Sequence, residues 1–191
     1  MPAHAFQTML YNTRDAWGSV SRNVHWLMVL LFAGQITLGK YAHGLNLSPQ
    51  KLDLLVWHKS IGITLLLLAS FRLIWRIAGT RPETPPGTPD WERKAAALSH
   101  TLLYMLMLAI PVTGWLMNSA KNIPFKLFHL VPWPDLVGPS EPWGKVFEEW
   151  HDSLVAAFIV LILLHVAAAL RHHFIKRDQV LNRMLGRGPS Q

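Results

Sequence analysis

The 191-residue chain is 51% hydrophobic and only 15% charged. A soluble domain usually carries about 25% charged residues, so the deficit points to a chain solvated partly by lipid. The chain has no cysteine, which excludes disulfides, thiolate zinc sites, cysteine-ligated iron–sulfur clusters and C-x-x-C-H haem attachment. With 10 histidines and a formal net charge of +7, any bound metal is expected on nitrogen, and the basic excess is expected to set topology and attract anionic lipid, with no nucleic-acid partner.

The first twenty residues are mixed and polar, with Arg14 and Asp15. No small-residue cleavage site follows a short apolar core there, so a cleavable signal is not expected. Four apolar segments follow, over about 24–41, 54–77, 95–117 and 150–174. Each is close to the roughly 20 residues that cross about 30 Å of hydrocarbon. The first is the most polar, interrupted by Gly34, Gln35 and Thr37. Residues 61–71 and 154–164 are apolar all the way round, leaving no stripe for water. The expected fold is all-α: an integral membrane four-helix bundle forming one transmembrane domain over residues 1–191. The linker over 81–89 is too rich in proline to be helical. The connection over 118–143 holds five prolines. Its length suggests that it packs on the membrane surface or covers a site.

With four spans, both termini and the second linker share one side. That side carries 12 of the 18 basic residues. The other carries Lys40, Lys51, Lys59, Lys121, Lys126 and Lys145. The positive-inside rule then predicts cytoplasmic termini.

An ionisable side chain inside a span is costly and is read as functional by default. His25 opens the first span at the inner level, and His58 opens the second at the outer level. The fourth span carries His151 near its outer start and His165 fourteen residues later. That is about 21 Å deeper and within about 40° of the same helix face. The depths pair His58 with His151 and His25 with His165. Two imidazoles on opposite sides of a flat macrocycle give a six-coordinate haem, and bundle cores are a usual place for such sites. Structural zinc wants four ligands close together, which two levels of two do not provide. Gly34, Gly62 and Gly114 would let a bulky ring approach the backbone. His100 is placed to line a pocket. His172 and His173 follow Arg171 and either meet a quinone or a proton path, or form an interfacial basic cluster. Arg72 and Arg76 either pair with haem propionates or snorkel to lipid phosphate. His4, His43 and His129 read as solvated loop residues, and most tryptophans, Trp57, Trp75, Trp115, Trp133, Trp143 and Trp150 among them, as aromatic belts.

Taken together, these residues resemble a known family. Arg22-Asn-Val-His25-Trp26, Trp57-His58-Lys-Ser-Ile-Gly62, Ala109-Ile-Pro111-Val-Thr-Gly114, Trp150-His151, Leu164-His165-Val-Ala-Ala-Ala and Arg171-His-His-Phe are similar to the bacterial cytochrome b561 family. The resemblance runs from about residue 12 to residue 185. It implies a multi-pass protein of the bacterial inner membrane with two haem b groups and His25, His58, His151 and His165 as axial iron ligands. In the superoxide oxidase branch it further implies electron transfer from superoxide at the outer face to ubiquinone in the membrane, with His172 or Arg76 near the quinone. The six outer lysines either suit an anionic substrate or balance haem propionates or lipid phosphate. The alternative expectation is a cytochrome b subunit that takes electrons from a hydrogenase or dehydrogenase partner.

Overall fold

A computed structural model describes residues 10–187; His4 and the first nine residues of the amino-terminal reading lie outside them. Four long helices dominate: α1 (Ser19–Gly44), α2 (Pro49–Ala78), α3 (Asp90–Ala120) and α4 (Glu141–Arg171). A short antiparallel hairpin, β1 (Lys126–Leu127) and β2 (Val131–Pro132), lies between α3 and α4. A π-helical turn (His172–Lys176) and a short helix α5 (Val180–Leu185) follow α4.

Local chemistry sets the helix ends. Ser48 caps α2: its hydroxyl accepts the Lys51 N–H at 3.2 Å, and Pro49 fills the first helical position, where no N–H is needed. Asp90 and Glu92 stand in the first turn of α3, where carboxylates favour the positive helix end. Arg177, in the left-handed region at φ 54°, ends the π-helical turn by donating its N–H to the His172 carbonyl.

The helices extend beyond the apolar segments that announced them, because polar interfacial residues continue the turns at either end. α4 in particular starts at Glu141, so the connection without helix is shorter than its sequence suggests. Three of the four long helices, α2, α3 and α4 with its π-helical extension to Lys176, are long and apolar enough to cross a membrane. α1 falls short of that standard; Gln35 and Thr37 dilute it.

The chain divides into two compact units, and each long helix contributes to both. Of the described residues, the first comprises 10–27, 71–104 and 158–187. In it Ser21, Leu103, Tyr104 and Phe158 are buried, and Tyr11 stacks on Trp75 with ring centroids 5.3 Å apart. Glu92 bridges Arg171 and Lys176. The Trp26 indole donates to the Met184 carbonyl of α5 at 3.1 Å. The second unit comprises 28–70 and 105–157. Its core includes Met28, Phe32, Ala42, Ile63, Leu65, Ala69 and Phe147. Here the connection after α3 is pinned down. The Phe128 N–H donates to the fully buried Ser60 hydroxyl at 2.8 Å. The Leu136 N–H donates to the Ser119 hydroxyl at 3.1 Å, and the Trp115 indole to the Pro134 carbonyl at 2.8 Å. The segment expected to pack on the membrane surface or to cover a site is thus held against α2 and α3.

Two buried imidazole pairs as the candidate functional site

In the second unit, His58 of α2 meets His151 of α4 with ring centroids 6.4 Å apart and planes inclined at 76°. Glycine shapes both sides. A Cβ on Gly39 of α1 would lie 2.7 Å from His58 Cε1, and one on Gly114 of α3 would lie 3.1 Å from His151 Cε1. Each ring therefore rests where any other residue would push it. His151 Nδ1 lies 3.0 Å from the Ile110 carbonyl and 3.3 Å from the Thr113 hydroxyl, which itself donates to that carbonyl at 2.8 Å. The carbonyl places the proton on Nδ1, so the Nε2 lone pair is available to a metal. His58 is held through its backbone: the Gln35 amide donates to its carbonyl at 2.7 Å. The His58 Nδ1 and Gln35 Oε1 are both buried without a hydrogen-bond partner. Lys59 donates to Asn118 Oδ1 at 2.6 Å, with its ammonium 5.7 Å from the Phe125 ring centroid.

In the first unit, His25 of α1 meets His165 of α4 at the same 6.4 Å, with planes at 73°. His100 of α3 lies 5.6 Å from His165, with planes at 68°. Arg72 Nη1 donates to the Ser21 carbonyl at 2.7 Å. The Arg76 guanidinium stands 5.5 Å over the Tyr104 ring. Glu83, Asp90, Glu92 and Asp178 of this unit are engaged by other cations: Arg14, Arg93, Arg171 with Lys176, and His172. Two guanidiniums held by neutral partners make this a favourable place for an added anion, since a partly buried charge gains most from a direct counterion.

Both pairs pass a simple test of fit for an iron between two imidazoles. Two metal–nitrogen bonds of about 2 Å and two ring radii of about 1.1 Å put the centroids about 6.2 Å apart. The measured 6.4 Å agrees in both cases. The 5.6 Å between His100 and His165 is too short for the same arrangement. Among the described residues no three His, Cys, Asp or Glu side chains cluster to hold a metal ion.

The remaining candidates fall elsewhere. His172 Nδ1 pairs with Asp178 Oδ2 at 2.5 Å, and Asp178 Oδ1 caps the Val180 N–H at 3.0 Å. His129 is exposed in the hairpin turn, as expected of a loop residue, with its Nε2 2.9 Å from Asp53 Oδ1 and its ring 6.2 Å from that of Trp57. His43 ends α1 and is exposed. Of the outer lysines, Lys121 pairs with Glu148 and Lys145 with Glu141. Lys51 bonds the Leu45 carbonyl at 2.7 Å. Of the three glycines that caught attention in the sequence, only Gly114 meets an imidazole; Gly34 meets nothing within 4 Å and Gly62 meets the Gln35 amide. Gly39 and Gln35, which do shape the His58 site, gave no signal of their own, since each contacts a residue some twenty positions away.

Long apolar helices that bring buried imidazoles together in pairs have the chemistry of a membrane cytochrome. The comparison with known proteins agrees. The pattern defining the prokaryotic cytochrome b561 family matches residues 16–187, and the chain belongs to that family, whose members are membrane electron carriers with haem b. It is similar to cytochrome b561 homolog 2 of Escherichia coli (strain K12), with 31% identity over 185 residues, covering 94% of this chain and 96% of that protein. Cytochrome b561 homolog 1 of the same organism is 31% identical over 170 residues, covering 86% and 93%. A probable superoxide oxidase, CybB, of Yersinia pestis is 27% identical over 168 residues, covering 85% and 91%.

Proposed function

We propose that this chain is a four-helix, single-domain protein of the bacterial inner membrane, with cytoplasmic termini and two haem b groups. One haem is held by His58 and His151 at the outer level, the other by His25 and His165 at the inner level. The observation that carries this reading is the equal 6.4 Å separation of two buried imidazole pairs, matched to the span of two iron–nitrogen bonds. α1 completes the bundle in this reading. Its polar Gln35 points inward to His58 rather than to lipid, so the low apolarity of α1 does not expose polar groups to hydrocarbon.

The activity proposed is oxidation of superoxide at the outer face coupled to reduction of ubiquinone in the membrane. Two superoxide ions give two electrons and leave as dioxygen; the quinone takes the two electrons with two protons. The haem irons supply the one-electron redox chemistry. The protein contributes access, charge and ligand geometry. Lys59, next to His58 and held only by the neutral Asn118 amide, keeps an unneutralised positive charge by the outer pair. Arg72 and Arg76 offer an unclaimed anion site by the inner pair, suited to haem propionates. His172, paired with Asp178, is placed in this reading on the proton side of the quinone.

The visible reduced-minus-oxidised spectrum of the purified protein, with haem quantified per chain, tests the first half. Two haem b per chain are expected, and a colourless protein sinks the reading. Stopped-flow mixing with superoxide tests the second half: rapid haem reduction is expected. Two haems that superoxide leaves oxidised, in a protein that co-purifies with a large redox partner, would instead favour an electron-transfer subunit of a hydrogenase or dehydrogenase.

A further inference from the structure

Threonines inside these helices turn their hydroxyls back onto the helix backbone. Thr37, Thr64 and Thr101 donate to the carbonyl four residues before them, at 2.9, 3.0 and 2.9 Å. Thr113 of α3 departs from that habit. It is buried and donates to the carbonyl three residues before it, that of Ile110, at 2.8 Å. The same carbonyl lies 3.0 Å from His151 Nδ1, and the Thr113 oxygen itself lies 3.3 Å from that nitrogen. The proton positions follow. A carbonyl only accepts, so Nδ1 carries the hydrogen. The Thr113 proton is committed to the same carbonyl, so the hydroxyl turns a lone pair toward Nδ1. The His151 N–H is therefore shared between two oxygens of one helix turn, the carbonyl on the shorter arm and the hydroxyl on the longer.

We propose that Thr113 is a positioning residue of the outer haem: its hydroxyl gives the His151 N–H a second acceptor and steadies the plane in which that ring presents Nε2. This rests on the assignment of His58 and His151 as the outer haem ligands. A hydrogen-bond acceptor behind a ligating histidine fixes its tautomer and ring orientation and raises its basicity. A more basic ligand stabilises ferric over ferrous iron, so the second acceptor lowers the outer potential. The hydroxyl accepts more strongly because it also donates, since hydrogen bonds in a chain polarise one another. Its proton also draws on the Ile110 carbonyl, and that alone would weaken the shorter arm and raise the potential. The two effects have opposite signs, so a measured potential tells them apart. Around a pair otherwise placed by glycines and main chain, Thr113 is where a polar change reaches the outer haem without touching a ligand.

The test is a redox titration of Thr113→Val and Thr113→Ser in the full-length haem-loaded protein, following the visible bands of both haems and their low-temperature electron paramagnetic resonance. Valine keeps the shape and removes the hydroxyl; serine keeps the hydroxyl. The outer haem is identified as the one whose signals disappear in His151→Ala. In Thr113→Val its reduction equilibrium is expected to shift toward the ferrous form by about three-fold, which is ~28 mV at ~59 mV per ten-fold for one electron. Its resonance is expected to move and that of the inner haem to stay. Thr113→Ser is expected to keep the potential and resonance of the wild type. Loss of the outer haem from the valine variant alone, with serine like the wild type, would also support the proposal, through the orienting role. Unchanged outer potential and resonance in the valine variant, with two haems per chain retained, would overturn it and leave the dihaem reading standing. A shift toward the ferric form would overturn it too, because the hydroxyl would then act by weakening the Ile110 carbonyl. Equal departures in both variants, haem loss included, would make Thr113 a packing residue and likewise overturn it. A wild-type protein with no outer haem would instead overturn the assignment beneath it.

Discussion

The outer and inner imidazole pairs have the same ring separation, but their surroundings are built from different materials. The His58–His151 pair is located mainly by backbone: two glycines behind the rings, a main-chain carbonyl on His151 Nδ1, and a glutamine amide on the His58 carbonyl. The His25–His165 pair is surrounded by polar and charged side chains: His100 beside it, with Arg72, Arg76 and Tyr104 in the same unit. A backbone-built site is defined by shape, so steric change should break it. A site lined by side chains is defined by charge and hydrogen bonding, so polar change should retune it. The contrast can be attacked in order of expected effect.

The largest effect should follow removal of one ligand. His151→Ala is expected to leave one haem per chain, the one held by His25 and His165; His25→Ala is expected to leave the other. Haem quantification with spectra of each variant decides it. If either single substitution removes both haems, the pairs are not independent sites and the comparison between them loses its basis.

Steric change is the next strongest lever. Gly39→Val would place a Cβ 2.7 Å from His58 Cε1, so the ring or α1 must move. Overpacking of this kind costs about 1–3 kcal/mol, and the outer haem is expected to be lost or weakly held while the inner one stays. Gly34→Ala, five residues away with nothing within 4 Å of the added carbon, is the matched control. It is expected to keep both haems and to stabilise the helix by about 0.5–1 kcal/mol. Haem content and thermal unfolding in detergent distinguish the two. Equal loss in both variants would mean that α1 tolerates no added bulk anywhere, and that Gly39 has no special role.

What the sequence made legible follows the same division. The histidine depths came from counting residues along helices, because a helix has a fixed rise and period; the pairs His25–His165 and His58–His151 are indeed adjacent. The family was legible because the motifs around those histidines are local runs. The role of Gly39 was not, since a glycine in an apolar helix looks the same whether its face meets lipid or an imidazole. Gln35 read as a weakness in the first span, when its amide in fact reaches the His58 carbonyl. The connection after α3 could be seen as long, but its anchoring depends on Ser60 and Ser119, small residues whose hydroxyls bond to backbone far along the chain. Contacts between distant positions leave no periodic trace in one sequence.

The smallest predicted effect concerns the charge that the outer site retains. Lys59 is held by a neutral amide, whereas Lys145 is neutralised by Glu141 at 2.8 Å on an exposed helix turn. An uncompensated positive charge next to the electron-accepting site raises the arrival rate of an anion, by about ten-fold or more at low ionic strength. A neutralised surface pair contributes little to that field, and exposed pairs are worth at most about 1 kcal/mol in stability. Lys59→Gln is therefore expected to lower the bimolecular rate of haem reduction by superoxide by roughly ten-fold at low salt, with the difference shrinking as screening sets in over a Debye length of about 10 Å at 0.1 M. The double variant Lys145→Gln with Glu141→Gln, which removes a neutral pair without changing the net charge, is expected to leave the rate within about two-fold at every salt concentration. Stopped-flow traces across a salt series separate the two ways in which Lys59 can matter. A deficit that fades with salt assigns it to attraction at a distance. A deficit that persists at high salt means that the ammonium acts on the substrate in contact, and the outer site would then depend on a side chain as much as the inner one does.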